Sequence, residues 1–254
     1  MSRVLPPGTI LQMLYVQERL RTLAPGRFIE IGTGHGELAA VLLDQGWQGI
    51  GYELGESSAV AARARTAGKP FEVRVADWLE APPDEPADLI VSSMVIEHLP
   101  DDQEAAYFER ARATLRPGGR AAVIVPAGPR YWGIEDDVAG HQRRYTRDGL
   151  RRRLEQLGWR LEHAAGLTFP VSNLILPVSN LLVKRAEGDR VKLSEYDRTV
   201  LSGDRDVAGK TTFPSAAGVV LNPTVMRPLH ALQKRFSNTD RALVLYAEAT
   251  PAPR

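Results

Sequence analysis

The sequence contains no cysteine among its 254 residues. This excludes disulfide bonds, thiolate metal sites and a cysteine nucleophile. The net charge is only +1, so no overall positive field would attract nucleic acid or an anionic membrane. The chain also lacks a long apolar run, because prolines and asparagines interrupt its most apolar segment, residues 167–183. Its first residues carry no apolar signal core. We therefore expect a cytoplasmic protein without a nucleic-acid partner or stable membrane insertion.

Helix and strand patterns alternate from Thr9 to about Gly158, and this alternation predicts a parallel sheet with crossover helices. The apolar share of 43% and the charged share of 25% are ordinary for a globular protein. The predicted strands are residues 28–31, 49–53, 71–76, 88–93 and 121–125, and the predicted helices are residues 10–23, 37–45, 57–67, 101–115 and, capped by Thr146, up to Leu157.

The regular alternation ends after Gly158. Residues 159–168 and 241–248 are predicted as a sixth and a seventh strand, and residues 225–236 resemble an amphipathic helix. A long structureless stretch inside a compact domain is improbable. We therefore expect residues 1–254 to form a single domain in which about 171–238 make a partly helical cap insertion.

A glycine-rich loop lies between the first strand and the next helix, and it contains Gly32, Gly34 and Gly36. Such glycines let the backbone turn tightly and approach a ligand in front of a helix N-terminus. A dinucleotide-binding loop would have glycine at the position of Glu37. Glu30, two residues before the first glycine, suits instead a ligand with an ammonium group. Glu53, at the end of the second strand, can accept hydrogen bonds from ribose hydroxyls.

This order of residues resembles the class I S-adenosylmethionine (SAM) dependent methyltransferase family over about residues 27–158. Further matching landmarks are Val-Ile-Glu-His-Leu at 95–99 and Leu-Arg-Pro-Gly-Gly at 115–119. The resemblance implies a Rossmann-like α/β fold with a seven-stranded, mostly parallel sheet, an antiparallel last strand and the cap between strands six and seven. It implies SAM as the cofactor, held by Glu30, Gly32, Thr33, Gly34, Gly36, Glu53, Leu54, Asp77, Trp78, Ser93, Met94 and His98.

The resemblance also implies a role for several of these residues. Glu30 would face the amino-acid end of the cofactor and Glu53 would hold the ribose. Asp77 and Trp78 would contact the adenine. Ser93 and Met94 would line the methionine moiety, and His98 would pack beneath the cofactor.

The residues predicted to meet the methyl acceptor follow the fifth strand, because ligands of such sheets bind at the carboxyl ends of the strands. The string Gly-His-Gln-Arg-Arg-Tyr-Thr at 140–146 is similar to small-molecule and lipid-type members of the family. We predict His141 as the general base, with Tyr145 and Arg144 orienting the acceptor and Tyr131 and Trp132 enclosing it. A helix-capping role for His141 and a base role for His98 stay open. The adjacent acids Asp136 and Asp137 lack a third ligand, so no metal is expected.

The expected function is a biosynthetic methyl transfer to a small or medium acceptor, through its oxygen or nitrogen. A natural product, a lipid-like molecule and a modified peptide are the acceptor classes considered. The alternatives are a nucleic-acid methyltransferase, a nicotinamide-dependent oxidoreductase and a SAM-binding partner protein without turnover. The Ser-Ser-Met-Val sequence at 92–95 and the Glu37 position disfavour the first two. A homodimer formed through the insertion is left open.

Overall fold

The strands form one seven-stranded sheet in the computed structural model, which describes residues 4–253 except 82, 84, 195, 196, 199, 200, 202–204 and 206. The strands are β1 (Arg27–Ile31), β2 (Gln48–Glu53), β3 (Phe71–Val75), β4 (Ala87–Ser93), β5 (Leu115–Pro126), β6 (Trp159–Leu167) and β7 (Val244–Pro251). Their order is β3-β2-β1-β4-β5-β7-β6. Strands β1 to β5 are parallel, whereas β7 runs antiparallel to both neighbours. The predicted sheet, with its antiparallel last strand, is confirmed.

Helices cover both faces of this sheet. They are α1 (Pro7–Leu20), α2 (Glu37–Leu43), α3 (Glu56–Arg65), α4 (Asp101–Thr114), α5 (Ile134–Ala139), α6 (Arg147–Gln156), α7 (Val171–Glu187) and α8 (Pro223–Arg235). Successive strand residues point to opposite faces: Phe28 packs with α1 and α2 in one core cluster, whereas Ile29 packs with α4 and α6 in another. Because both faces are buried, the middle of the sheet is largely apolar, whereas the edge strands β3 and β6 also contain charged residues.

Strand β5 differs most from its prediction, because it begins at Leu115 and the sequence pattern indicated Ala121. Ala87 pairs with Leu115 and the pairing then resumes between Leu89 and Arg120, so the intervening Arg-Pro-Gly-Gly forms an irregularity within the strand. Helix α6 follows its prediction, since the Thr146 hydroxyl accepts the N–H of Gly149 at 3.0 Å.

The chain between β6 and β7 contains α7, α8 and 3₁₀ turns at Gly188–Lys192 and Ser215–Val219. Helix α8 confirms the predicted amphipathic helix, and it packs on α1 through Met226, Ile10 and Leu11. The Gln233 side chain also donates to the Leu11 carbonyl at 2.8 Å. That this stretch is an insertion into one domain stays our proposal. Among the helices of the described residues, none combines the length and hydropathy needed to cross a membrane.

Candidate active site

A cavity of about 740 Å³ lies at the carboxyl ends of β1 to β4. Such edges hold the ligands of open α/β sheets. The structure brings most of the predicted site residues together on its wall: Glu30, Gly32, Thr33, Gly34, Glu53, Leu54, Asp77, Trp78, Ser93, Met94, His98 and His141.

The glycine loop after β1 forms one wall of the cavity. Gly32 and Gly34 have φ angles of +72° and +53°, in the left-handed region that favours glycine. A Cβ atom on Gly32 would lie 2.5 Å from a methyl carbon of Val95, whereas one on Gly34 would point into open space. The Glu53 carboxylate holds the loop, because it accepts the N–H of Gly34 at 2.7 Å and that of Gly55 at 3.0 Å.

Glu30 is a buried carboxyl group on the same wall, with 1% of its surface exposed. Burial, together with the nearby Glu37 and Glu53, raises the pKa of Glu30 well above its usual value. Within the described part of the chain, its Oε2 atom has no hydrogen-bond partner. A buried polar atom without a partner is costly. The site is therefore suited to a ligand that brings a positively charged hydrogen-bond donor to Glu30.

The residues after β3 and β4 form another part of the wall. The Trp78 ring is buried and packs edge to face on Tyr107 at 5.2 Å. Asp77 caps the following turn by accepting the Leu79 N–H at 2.8 Å. Met94 has a φ of +56°, a strained conformation for a residue with a side chain, and its N–H donates to the Ile124 carbonyl at 2.8 Å.

The other end of the cavity carries a polar cluster around His141. Its Nδ1 lies 2.8 Å from the Asp136 carboxylate, which also accepts the Arg144 guanidinium at 2.7 Å. Burial alone would raise the pKa of Asp136, but these two hydrogen bonds hold it below its usual value. Because the ionised carboxylate only accepts, His141 donates from Nδ1, and the tautomer of a neutral ring that does so has its lone pair on Nε2.

Glu97 and His98 complete this cluster. His141 Nε2 lies 3.9 Å from a Glu97 carboxylate oxygen, and the rings of His98 and His141 are 4.8 Å apart, edge to face. Burial raises the pKa of Glu97 to about 7. Burial, aided by the nearby His141, lowers the pKa of His98 to about 3, so this ring is neutral at neutral pH.

Two residues predicted for the acceptor side, Tyr145 and Arg144, lie outside the cavity lining. Tyr145 is buried, with its hydroxyl donating to Glu104 at 2.8 Å and to the Ile96 carbonyl at 3.4 Å. Arg144 binds Asp136 and the Ala127 carbonyl, the latter at 3.0 Å. Arg144 thus helps to position Asp136, and the Tyr145 hydroxyl is bound to buried groups of the fold.

Tyr131, Trp132 and Gly36 also lie outside the cavity lining. Tyr131 packs under the Arg130 guanidinium, 4.8 Å away, and Trp132 is 43% exposed with its indole N–H donating to Asp137. Gly36 has a φ of +77°, and a Cβ atom there would lie 3.2 Å from the Ala62 backbone. Gly36 thus allows α2 to approach α3, which is a packing role.

Sequence reasoning missed several residues of the cavity wall. Helix α1 and the residues before it contribute Leu5, Pro6, Thr9, Gln12 and Met13. The polar Thr9 and Gln12 within an apolar helix were the signal available in the sequence. The lining also contains Glu135, Gln142, Arg205 and Thr211, which come from two distant parts of the chain.

A family model and several curated relatives that match this chain are all methyltransferases. A family model described as "Methyltransferase domain" matches residues 11–164. A ubiquinone biosynthesis O-methyltransferase of Paramagnetospirillum magneticum is 33% identical over 93 residues, which are 36% of each chain. A probable SAM-dependent methyltransferase of Mycolicibacterium smegmatis is 30% identical over 60% of this chain and 59% of its own. A trans-aconitate 2-methyltransferase of Acidovorax sp. is 32% identical over 56% and 50%, respectively. The chain thus spans about a third to three fifths of these relatives.

Solved structures share the fold. A SAM-dependent methyltransferase from Clostridium acetobutylicum superposes with a TM-score of 0.51 at 12% identity, over 63% of this chain and 83% of that one. Magnesium protoporphyrin IX methyltransferase from Synechocystis, with bound S-adenosylhomocysteine (SAH), gives 0.52 at 15% identity, over 63% and 77%. At such identities the likeness concerns the fold alone.

Proposed function

The chain belongs to the class I SAM-dependent methyltransferase family, and on this premise we propose that it methylates an oxygen of a small or medium-sized acceptor. One observation carries the proposal. A single cavity joins Glu30, whose Oε2 has no partner among the described residues, to His141, which pairs with Asp136 behind it, and this arrangement suits a cationic cofactor beside a hydroxyl-bearing acceptor.

SAM is the cofactor of this family, and the residues of the wall fit it. When bound, SAM supplies an electrophilic methyl carbon on a sulfonium sulfur. In our proposal Glu30 binds its ammonium group, Glu53 binds the ribose hydroxyls, and Asp77 and Trp78 bind the adenine. Gly34, whose Cα faces open space, lets the cofactor lie against the loop.

His141 is the residue we propose to receive the proton of the acceptor. The acceptor oxygen forms a bond to the methyl carbon while the carbon–sulfur bond breaks, and SAH leaves. The hydroxyl proton passes to Nε2 of His141, whose ring Asp136 holds in place through Nδ1. The protein otherwise aligns the reactants and excludes water, which is where most of the rate gain of such a displacement arises.

The volume of the cavity supports a small or medium acceptor. Pockets for cofactors and drug-sized ligands measure about 300–1,000 Å³, and here about 740 Å³ would hold both reactants. Two relatives are named for methylation of small molecules, one of them explicitly at oxygen.

The proposal is tested by transfer of a labelled methyl group from SAM to a panel of phenols, hydroxy acids and carboxylic acids. With an accepted compound, His141→Asn should lower turnover by about 10²–10⁴-fold and leave SAM affinity unchanged. Asp136→Asn should also lower turnover, whereas Asp137→Asn, the matched control next to it, should not. SAM binding without transfer to any compound would favour a partner protein without turnover.

A further inference from the structure

We propose that Glu97, His98 and His141 bind a divalent transition-metal ion at the acceptor end of the cavity. Each of the three offers one ligand atom, and these atoms lie within 4.8 Å of one another. Both histidines also line the cavity. Bond lengths of about 2.0–2.2 Å to nitrogen and oxygen let one ion bridge the 3.9 Å between His141 Nε2 and Glu97. Ligand atoms of a tetrahedral ion lie about 3.4 Å apart, so the side chains must close in by roughly 1 Å to hold one ion.

The Glu97 carboxyl group needs a partner that the described residues do not provide. It is fully buried, and neither of its oxygen atoms has a hydrogen bond to another residue in the described part of the protein. The nearby Arg144 is directed at Asp136 instead. Because a buried carboxyl group stays ionised only when it is paired or coordinated, an ion between Glu97 and the two histidines would stabilise its charged form.

The surroundings of both histidines are those of metal ligands. A ligating histidine usually donates its second ring N–H to a carboxylate or a backbone carbonyl, which fixes the ring and exposes the other nitrogen. His141 donates to Asp136 in this way, and His98 forms a hydrogen bond with the Gly140 backbone.

Two imidazoles and one carboxylate favour Zn²⁺, Fe²⁺ or Co²⁺ over Mg²⁺ and Ca²⁺, which prefer oxygen ligands. Three protein ligands leave coordination positions open toward the cavity. An acceptor hydroxyl in such a position would lose its proton to solvent more readily. With an ion bound, His141 would serve as a ligand and solvent would take the acceptor proton, whereas without an ion His141 keeps the role of base given above. This catalytic part rests on the proposed function, whereas metal binding does not.

The test is a titration of tag-free, chelator-stripped protein with Co²⁺, followed by visible absorption, and with Zn²⁺, followed by calorimetry. We expect one equivalent to bind. Glu97→Gln and His141→Asn should each weaken binding by more than tenfold, and Asp136→Asn by about 10–100-fold. Asp137→Asn should bind as the wild type does. Far-ultraviolet circular dichroism and thermal unfolding of every variant separate loss of the site from loss of the fold.

Absence of binding, or binding unchanged in folded Glu97→Gln and His141→Asn proteins, would overturn the metal site. Methyl transfer that persists at full rate in the stripped protein would overturn its catalytic part and leave the proposed function standing. Co²⁺ binding to a protein that fails to bind SAM would support the metal site and remove the methyl-transfer function.

Discussion

Glu53 contributes to the site through charge and through backbone order. It accepts two N–H groups, at 2.7 and 3.0 Å, and one of them belongs to the glycine loop. Glu53→Ala should weaken SAM binding by about 10–100-fold, since hydrogen bonds to charged groups contribute about 1.5–3 kcal/mol. Calorimetry measures the change. Glu56→Ala, an exposed carboxylate at the start of α3, is the control, and equal affinities for the two variants would contradict the assignment.

The Tyr145 hydroxyl contributes to the stability of the fold, and removing it by substitution tests this role. Its hydroxyl donates to Glu104, a fully buried carboxylate that also binds Arg143 and Arg153. Tyr145→Phe should lower the free energy of unfolding by about 1–2 kcal/mol, as measured by urea denaturation. Methyl transfer by the folded variant should be unchanged. If Tyr145→Phe were as stable as the wild type but lost most of its turnover, the catalytic role predicted from the sequence would be supported instead.

The position of an individual residue in the site was predictable from the sequence when it depends only on the nearby backbone. Gly32, Gly34 and Glu53 follow directly from the ends of strands. That Arg144 and Tyr145 lie outside the cavity lining could not be predicted, because their partners, Asp136 and Glu104, become neighbours only in the folded chain. Nothing in the spacing of the sequence indicates that a buried carboxylate will attract either side chain away from the cavity.

In the loop between β1 and α2, Gly34 and Gly36 have different roles: Gly34 leaves space for a ligand, and Gly36 allows close packing. Both Gly34→Ala and Gly36→Ala impose a left-handed backbone on alanine, at a cost of about 1–2 kcal/mol. The Cβ atom of Gly34→Ala would point into the cavity, whereas that of Gly36→Ala would press on Ala62. We expect the first variant to lose SAM affinity more than stability, and the second to lose stability more than affinity. Calorimetry and thermal unfolding of both proteins decide this, and the reverse ranking would contradict it.

Glu248 on β7 ties helix α1 to the sheet. Burial alone would raise its pKa, but hydrogen bonds from Arg19, Tyr246 and Arg120 outweigh this effect and hold the pKa below the usual 4.5. A lowered pKa in the folded state stabilises the protein above the unfolded value of about 4.5 and loses that contribution as pH falls through the folded value.

Glu248→Gln should therefore destabilise the protein by about 1–3 kcal/mol at neutral pH, with the difference from wild type shrinking below pH 4.5. Urea denaturation across this pH range measures it. Glu162→Gln, a more exposed carboxylate on β6, is the comparison. A difference that stays constant with pH would show that packing, and not charge, is what Glu248 contributes.

The elements themselves were largely predictable, because strand alternation, glycine stops and the Thr146 cap are local signals. The start of β5 was not, since Leu115 to Gly119 reads as a helix stop followed by a turn. Pairing with β4 draws these residues into the sheet, and pairing is a tertiary effect that the sequence pattern does not contain.

The cavity as a whole belongs to the folded molecule. Its sheet edge could be anticipated from strand order, but its closure by α1 and by Glu135, Arg205 and Thr211 could not. These residues are far apart in the sequence and carry no shared pattern. The polar cluster of Glu97, His98 and His141 likewise forms only when the turn after β4 meets the segment after α5.

Binding of SAM in this cavity is tested most directly by calorimetric titration of the full chain with SAM, SAH and NADH. We predict that SAM and SAH bind with one site each, that Glu53→Ala weakens both, and that NADH does not bind. Binding of NADH in place of the two adenosyl ligands would contradict the assignment and would make the glycine loop a dinucleotide site.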